Sequence, residues 1–541
     1  MGIPSYFSYI INNYPNIIRN IASLRSSGMI FDHLYMDCNS IIYDIVRGLP
    51  FEDFASSESY EEVIIDNAIS KIEFFIDMIS PSKSVYVAFD GVAPLAKMEQ
   101  QRSRRYKNVN VNANGWSTAN VTPGTSFMKA LSERVYEHFN NDSSGIDIIV
   151  STSNEAGEGE HKMFRHIRNQ DIDPDDTGFV YGLDSDLIML SIFHCSKFKE
   201  FYIFREKPEF AKSLNSISSI ENETKSCCFM DIVKLSKSIL LEMRCEFSDR
   251  SRIYDYVMLC FFLGNDFLPH FPSLNIRTHG MQILMDTYRN NIGNKADRGF
   301  ISQIDKKIQW KWLHLFISEL SKNEHEYILQ EYETRKKWDK RTWKTEIESD
   351  RDFTLQSTPV IYRGGEIYIC PSEKGWESRY YKSLFHTFRD DRSRQKSNHL
   401  KNDNTKSDVD HICKNYLEGL EWVFKYYTVD CPDWRWKYEY HYPPLLKDVV
   451  SRVPLGDFTF IIENRESVTP GVQLAYVFPR AYHSMMSPKN RDILLSDKYS
   501  HLYPTEYDYK WTFCRYLWES HVDLPFISNE TLQGWTEVLE N

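Results

Sequence analysis

The sequence predicts an α/β fold: a mostly parallel central sheet flanked by helices, with a second, mainly helical region packed around it. Three observations lead there. Over the first ~300 residues, short apolar runs alternate with helix-like stretches, which is how a parallel sheet with crossover helices reads. From Gln303 to Lys344 the pattern turns helical and highly charged. The chain's 541 residues exceed one ordinary core, so two or three packed units are expected.

Strands are expected at His33–Met36, Ser84–Phe89, Ile146–Val150, Phe179–Tyr181 and Glu200–Phe204, each a short and largely apolar run. Helices are expected at Tyr60–Ile79, Pro94–Lys107, Ser126–Phe139 and Tyr254–Leu263, where apolar residues recur at helical spacing. Asn108–Pro123 and Leu214–Lys225 are polar and read as loops. Thr358–Cys370 reads as a short strand pair turning at Gly364-Gly365, and the almost wholly polar Arg389–Asp408 as a mobile surface loop. An aromatic stretch, Trp422–Tyr442, follows. These features divide the chain into residues 1–290, a helical connection at 291–370, and a second region at 371–541.

Hydrophobic residues make up 42% and charged residues 26%, ordinary for a globular chain. The net charge of −12 weighs against an overall basic nucleic-acid binder, but local basic stripes decide phosphate binding. The 33 Tyr, 33 Phe and 12 Trp fill cores first and leave a minority to stack on bases. The ten cysteines are scattered with no C-x₂-C pair, which argues against a zinc ribbon or knuckle and for free thiols. The start, MGIPSYFSYIINNYPNIIRNI, lacks a basic n-region followed by an apolar core. Tyr6 stands where a myristoylation signal wants Ser or Thr. No apolar run reaches membrane-span length. A soluble, cytoplasmic monomer, with a nuclear address also open, is the expectation.

The acids fall at telling places. HLYM runs into Asp37, SVYVAF into Asp90, IDIIV into a loop with Glu155, Glu158 and Glu160, and FVYG into Asp184 and Asp186. In a parallel sheet the carboxyl ends of strands share one edge, where ligands bind. Asp266, after the apolar VMLCFFLGN, closes the group from the side. Two like charges ~4 Å apart repel by roughly 4 kcal/mol at an intermediate dielectric. Divalent cations remove that cost, and oxygen-only ligands favour Mg²⁺ or Mn²⁺ over Zn²⁺. Two such ions suit the activation of water and the stabilisation of a phosphodiester's leaving oxygen. Removing one like charge relieves repulsion, so Asp37→Ala and Asp266→Ala are expected to lose activity without large unfolding.

After Asp90 comes GVAPLAKMEQQRSRRYK. Pro94 suits a helix's first turn. Lys97, Gln101, Arg104 and Arg105 stand at i, i+4, i+7 and i+8, one helix face. Three cations and an amide beside an acidic site form a pocket for a terminal phosphate. Arg102 lies on another face, where it would grip a strand's backbone.

The segments MGIPSYFSYI, LYMDCNSII, AFDGVAPLAKMEQQRSRRY, NEAGEGEHK, YGLDSDLIML and LGNDFLPHFP, followed by GWESRYYKSLFH and the W-x-W-x-Y-x-Y-H-Y-x-P run from Trp434 to Pro443, resemble the XRN family of 5′→3′ exoribonucleases. The resemblance covers most of residues 1–290 and much of 370–480. It implies a PIN/FEN-like nuclease core with metal-binding, catalytic acids Asp37, Asp90, Glu158, Glu160, Asp184, Asp186 and Asp266. It implies a 5′-phosphate pocket of Lys97, Gln101, Arg104 and Arg105. It also implies a stack of leading bases ending at Trp436, with Trp434 as the alternative, and at Tyr43, which stands where the family has a His. With neither the zinc knuckle nor the long C-terminal extension in this sequence, the resemblance implies a compact, core-only member. The expected reaction is two-Mg²⁺ hydrolysis of single-stranded RNA bearing a 5′-monophosphate, one mononucleotide at a time and with little sequence preference. The alternative is a structure-specific DNA nuclease of the flap endonuclease type.

Overall fold

The computed structural model describes residues 2–3, 5–109, 115–140, 145–206, 227–247, 250–302, 304–339, 358–385 and 404–540. The strands are β1 (Ile18–Arg19), β2 (His33–Asp37), β3 (Ser84–Ala88), β4 (Asp147–Ser151), β5 (Thr177–Tyr181), β6 (Glu200–Glu206) and β7 (Cys227–Asp231), in one sheet of order β1-β7-β6-β5-β2-β3-β4. From β4 across to β6 every pairing is parallel. All five expected strands are there, within two residues at either end. The sequence reading missed β7 and β1, which extend the edge antiparallel.

Side-chain alternation assigns the two faces of the sheet. Leu34, Met36, Val85, Val87, Phe179 and Tyr181 point to one core, under helices Ser57–Ile79 and Ser126–Asn140. Tyr35, Tyr86, Ala88, Val180 and Ile203 point to the other. That second core is shared with helices Gly159–Asn169, Asp186–His194 and Arg252–Phe261, and with Trp310, Leu313, Trp422 and Tyr426 from further along the chain. With both faces covered, the strands are apolar throughout and not alternating in polarity.

The connection and the start of the second region are helical: Trp310–Lys322, Glu324–Asp339, Gly364–Ile369, Trp376–Phe385 and Asn404–Thr428. The expected strand pair over Thr358–Cys370 is instead the short helix Gly364–Ile369. Its Glu366 is seized by Arg335 at 2.7 and 2.9 Å and by Arg363 at 2.9 Å, so a buried ion cluster overrides the turn preference of Gly364-Gly365. Strand-like pairing near it is a single bridge, Pro359 to Tyr516. The expected loop Arg389–Asp408 overlaps a helix that starts at Asn404, and its residues 389–403 lie outside the described residues, as does all of 214–225. Within 108–123, residues 110–114 lie outside them and Thr118–Asn120 forms a 3₁₀ turn. A third core joins Val92, Ala93, Leu95 and Met98 to the C-terminal stretch around Val472, Tyr476, Phe478 and Trp535. All ten cysteines are free. Among the described residues no helix is long and apolar enough to cross a membrane.

Candidate active site

β2 has β3 on one side and β5 on the other, so the chain reverses its direction of travel across the sheet there. In α/β sheets such a switch point opens the crevice where ligands bind. Asp37 is the last residue of β2, Asp90 follows β3, and Asp184 and Asp186 follow β5. Glu158 is the N-cap of helix Gly159–Asn169 and Glu160 sits in its first turn, where the helix dipole favours anions. Asp90 is fixed by the Gly159 N–H at 2.7 Å and the Asn39 side-chain amide at 2.8 Å.

The acids feel one another. Burial, then the charges of Asp90 and Asp184, push the Asp37 carboxyl well above its ordinary range. Burial, then Asp186 and Glu158, do the same to Glu160. Burial and Asp266 push Asp186 up to about 7. Asp266 goes the other way: burial opposes its charge, but Lys97 overcomes that and holds it well below the carboxylate range. Lys97 Nζ lies 2.6 Å from Glu158 Oε1 and 2.8 Å from Asp266 Oδ2. Each of the seven acids named from the sequence is therefore linked by charge to at least one other. Glu155 stays outside: its side chain is 52% exposed and turned to Ser151 and Arg165.

Three buried oxygens, Asp37 Oδ1, Glu160 Oε2 and Asp186 Oδ1, have no hydrogen-bond partner. Orphaned carboxylate oxygens are costly alone and suit a hard divalent cation, so the donors present fit Mg²⁺ or Mn²⁺. Glu158, Glu160 and His161 each present a ligand atom within 4.8 Å of the others. His161 is 4% exposed, and neither of its ring nitrogens is hydrogen-bonded.

The basic helix, Leu95–Lys107, divides its cations. Lys97 turns to the acids. Gln101 is buried with its Oε1 unpartnered. Arg105 is buried, bonded to Thr122 and lying 5.3 Å over Phe478, and burial lowers it to about 10 against the pull of nearby Tyr43. Arg104 is exposed and, with Asp266, Lys107, His270, Arg277 and Lys437, lines a cleft of about 600 Å³. Arg102 corrects an expectation. It is 1% exposed and donates to the carbonyls of Pro525 and Leu502 at 2.9 and 3.2 Å, so it ties the helix to the C-terminal stretch and is closed to any strand's backbone. Trp436 is 6% exposed, stacked on Trp422 at 5.3 Å, and packed against Leu268 and Gly419, so its ring offers no open face; Trp434 and Tyr43 are half-buried.

Sequence reading missed Asn39, His161, Tyr426 and Tyr427. Asn39 stood in the DCNS motif with nothing to say that it reaches across to Asp90. The tyrosines lie far along the chain, in helix Asn404–Thr428, where Tyr426 donates to Glu158 Oε2 at 2.8 Å.

A doubly covered parallel sheet with seven acids gathered at its switch point defines a carboxylate-lined α/β domain of the kind that holds hard cations. The particular kind follows from comparison. The XRN 5′-3′ exonuclease N-terminus matches residues 1–207, and the Xrn1 helical domain matches residues 246–363 and 369–541. The chain belongs to the XRN family. It is 24% identical to 5′-3′ exoribonuclease 1 of Saccharomyces cerevisiae, across 98% of this chain and 43% of that protein. It is 26% identical to the 5′-3′ exoribonuclease 2 homolog of Drosophila melanogaster, across 98% of this chain and 70% of that one. The chain thus spans less than half of the yeast relative. The catalytic core of Rad2 in complex with DNA substrate superposes with a TM-score of 0.31 at 13% identity, over 65% of this chain and 84% of that one, a likeness too loose to argue from.

Proposed function

We propose that this chain is a 5′→3′ exoribonuclease that hydrolyses single-stranded RNA from a 5′-monophosphate end and releases mononucleotides. The observation that carries the reading is Lys97. It stands on the helix whose Arg104 opens into the cleft, yet its ammonium lies 2.6–2.8 Å from two of the clustered acids. About seven residues of helix, roughly 10 Å, therefore separate cations able to hold a terminal phosphate from the carboxylates. An end-grip so close to the acids favours cutting near the end over cutting internally.

Asp37, Asp90, Glu158, Glu160, Asp184, Asp186 and Asp266 would hold two Mg²⁺ ions, with Mn²⁺ able to replace them. Bound there, the ions supply the positive charge that lets water attack a phosphodiester and the leaving oxygen depart. The chain's own residues do the rest. Arg104 meets the terminal phosphate as a forked donor, while Lys97 stays with Glu158 and Asp266. Tyr43, beside Arg105, offers a ring face to the leading base, and stacking of this kind is indifferent to base identity.

The test is a timed digest of one RNA carrying a 5′-monophosphate, a 5′-hydroxyl or a 5′-triphosphate, with and without Mg²⁺, with the products resolved by length. Mononucleotides from the monophosphate end alone, and only with metal, are expected. Internal fragments, or equal cutting of all three ends, would overturn the reading. A parallel arm with flapped DNA tests the structure-specific DNA nuclease alternative.

A further inference from the structure

The last turn of helix Asn404–Thr428 carries two consecutive tyrosines, Tyr426 and Tyr427, 2% and 1% exposed. Consecutive helical residues diverge by about 100°, so one helix can touch two separate elements. Tyr426 donates its phenol O–H to Glu158 Oε2 at 2.8 Å, while Lys97 holds Oε1 of the same carboxylate at 2.6 Å. The Tyr426 ring cannot swing away. It lies flat on His161 with centroids 3.5 Å apart and is backed by Trp422 at 4.7 Å. Tyr427 packs edge-on against His161 at 5.7 Å and Phe261 at 5.4 Å, and burial, then the charge of Asp186, push its phenol well above its ordinary range. Asp186 Oδ1 is buried and unpartnered.

We propose that Tyr426 is a positioning residue of the cation site. Its phenol ties down Glu158, so that the helical region fixes how this carboxylate of the α/β region presents its remaining lone pairs. The inference rests on the nuclease reading above and adds to it that the site is built from both matched regions. Outer donors of this kind, when removed, typically weaken metal affinity by about 10- to 100-fold. Replacing Tyr by Phe deletes one oxygen and leaves the ring stack standing.

The experiment is a titration of wild type and Tyr426→Phe with Mn²⁺, without RNA, counting free ion by electron paramagnetic resonance. Melting curves in EDTA and the Mg²⁺ dependence of kcat and KM accompany it. Tyr426→Phe is expected to bind Mn²⁺ about 10-fold or more weakly, to melt close to wild type in EDTA, and to regain kcat at high Mg²⁺ with an unchanged KM for RNA. Wild-type Mn²⁺ affinity in the variant, or a lower melting point with undiminished affinity, overturns the proposal and leaves the nuclease reading intact. Wild type that binds no Mn²⁺ takes both down.

Discussion

Gly159→Ala separates stability from function at one atom. A Cβ on residue 159 would sit 2.7 Å from Asp37 Oδ1 and 3.4 Å from its Cγ. Ordinary contact begins near 3.4 Å, so the carboxylate oxygen must withdraw by about 0.7 Å. In stability this is cheap. The displaced atom is the end of a side chain, residue 159 is outside the positive-φ glycines, and Gly→Ala at a compatible helical position gains about 0.4–1 kcal/mol. In function it is expensive, because misplacing a reacting group by ~1 Å can cost about 100-fold in rate. The expected result is a melting point equal to or slightly above wild type in EDTA, with kcat on 5′-monophosphate RNA down by about two orders of magnitude. Gly48→Ala is the matched control: it also lies in a helix, with nothing within 4 Å of the new methyl, and should keep its activity. Full activity in Gly159→Ala would show that the Asp37 oxygen need not stay where it is, and the site assignment would fail with it.

Asp37→Asn and Asp266→Asn should move stability in opposite directions in EDTA at neutral pH. The first relieves repulsion and gains about 1–3 kcal/mol, a fraction of what two close like charges cost. The second leaves buried Lys97 with one partner and loses about 3 kcal/mol, the low end for a broken buried pair, so equal shifts in urea midpoints would contradict the pairing. Arg335→Met should destabilise by about 3–5 kcal/mol and leave Mn²⁺ affinity alone, because it strips Glu366 and the carbonyls of Phe513 and Cys514 of a buried donor. Glu99 is held at about 2 because Lys437, 2.5 Å away, outweighs the cost of burial. Its depressed value stabilises the fold above the ordinary carboxyl pKa of ~4.3, so the stability gap between wild type and Glu99→Gln should close as pH falls from there toward 2, by urea titration at stepped pH. Arg104→Ala should raise KM about 10-fold for 5′-monophosphate RNA, the cost of about one charge-assisted hydrogen bond, leave 5′-hydroxyl RNA unaffected, and melt like wild type.

The parallel half of the sheet was legible because each of its strands is an apolar run bounded by polar turns, and because an acid follows each of β2, β3, β4 and β5. β7 was not. CCFMD is five residues of continuous burial, and a fully covered strand has no alternation to mark its direction or its neighbours. β1, two residues long, carries no period at all. The segment 358–370 failed for another reason. Gly364-Gly365 is a sound local turn signal, but Glu366 is drawn into a buried cluster by Arg335, whose place beside it only the packed fold supplies.

The site divides along the same line. A sequence records which atoms are charged, and a regular element records which face they share. Neither records what covers that face. Lys97, Arg102 and Arg104 fall within two turns of one helix and look interchangeable as cations. Packing commits Lys97 to two acids, Arg102 to two carbonyls of the C-terminal stretch, and leaves Arg104 open to the cleft. Trp436 looked like a base platform for the same reason that Arg102 looked like a phosphate grip: residue type was visible and the covering layer was not. That layer is the helical region, whose side chains bury Trp436, reach Glu158 and, with Arg104 and Asp266, line the cleft. An α/β sheet alone would leave those acids facing open water, where repulsion is screened and a cation is held weakly. Enclosure raises both the cost of the uncompensated charges and the affinity for whatever neutralises them, so the helical layer is a condition for the acids to work together and more than a surface laid over them.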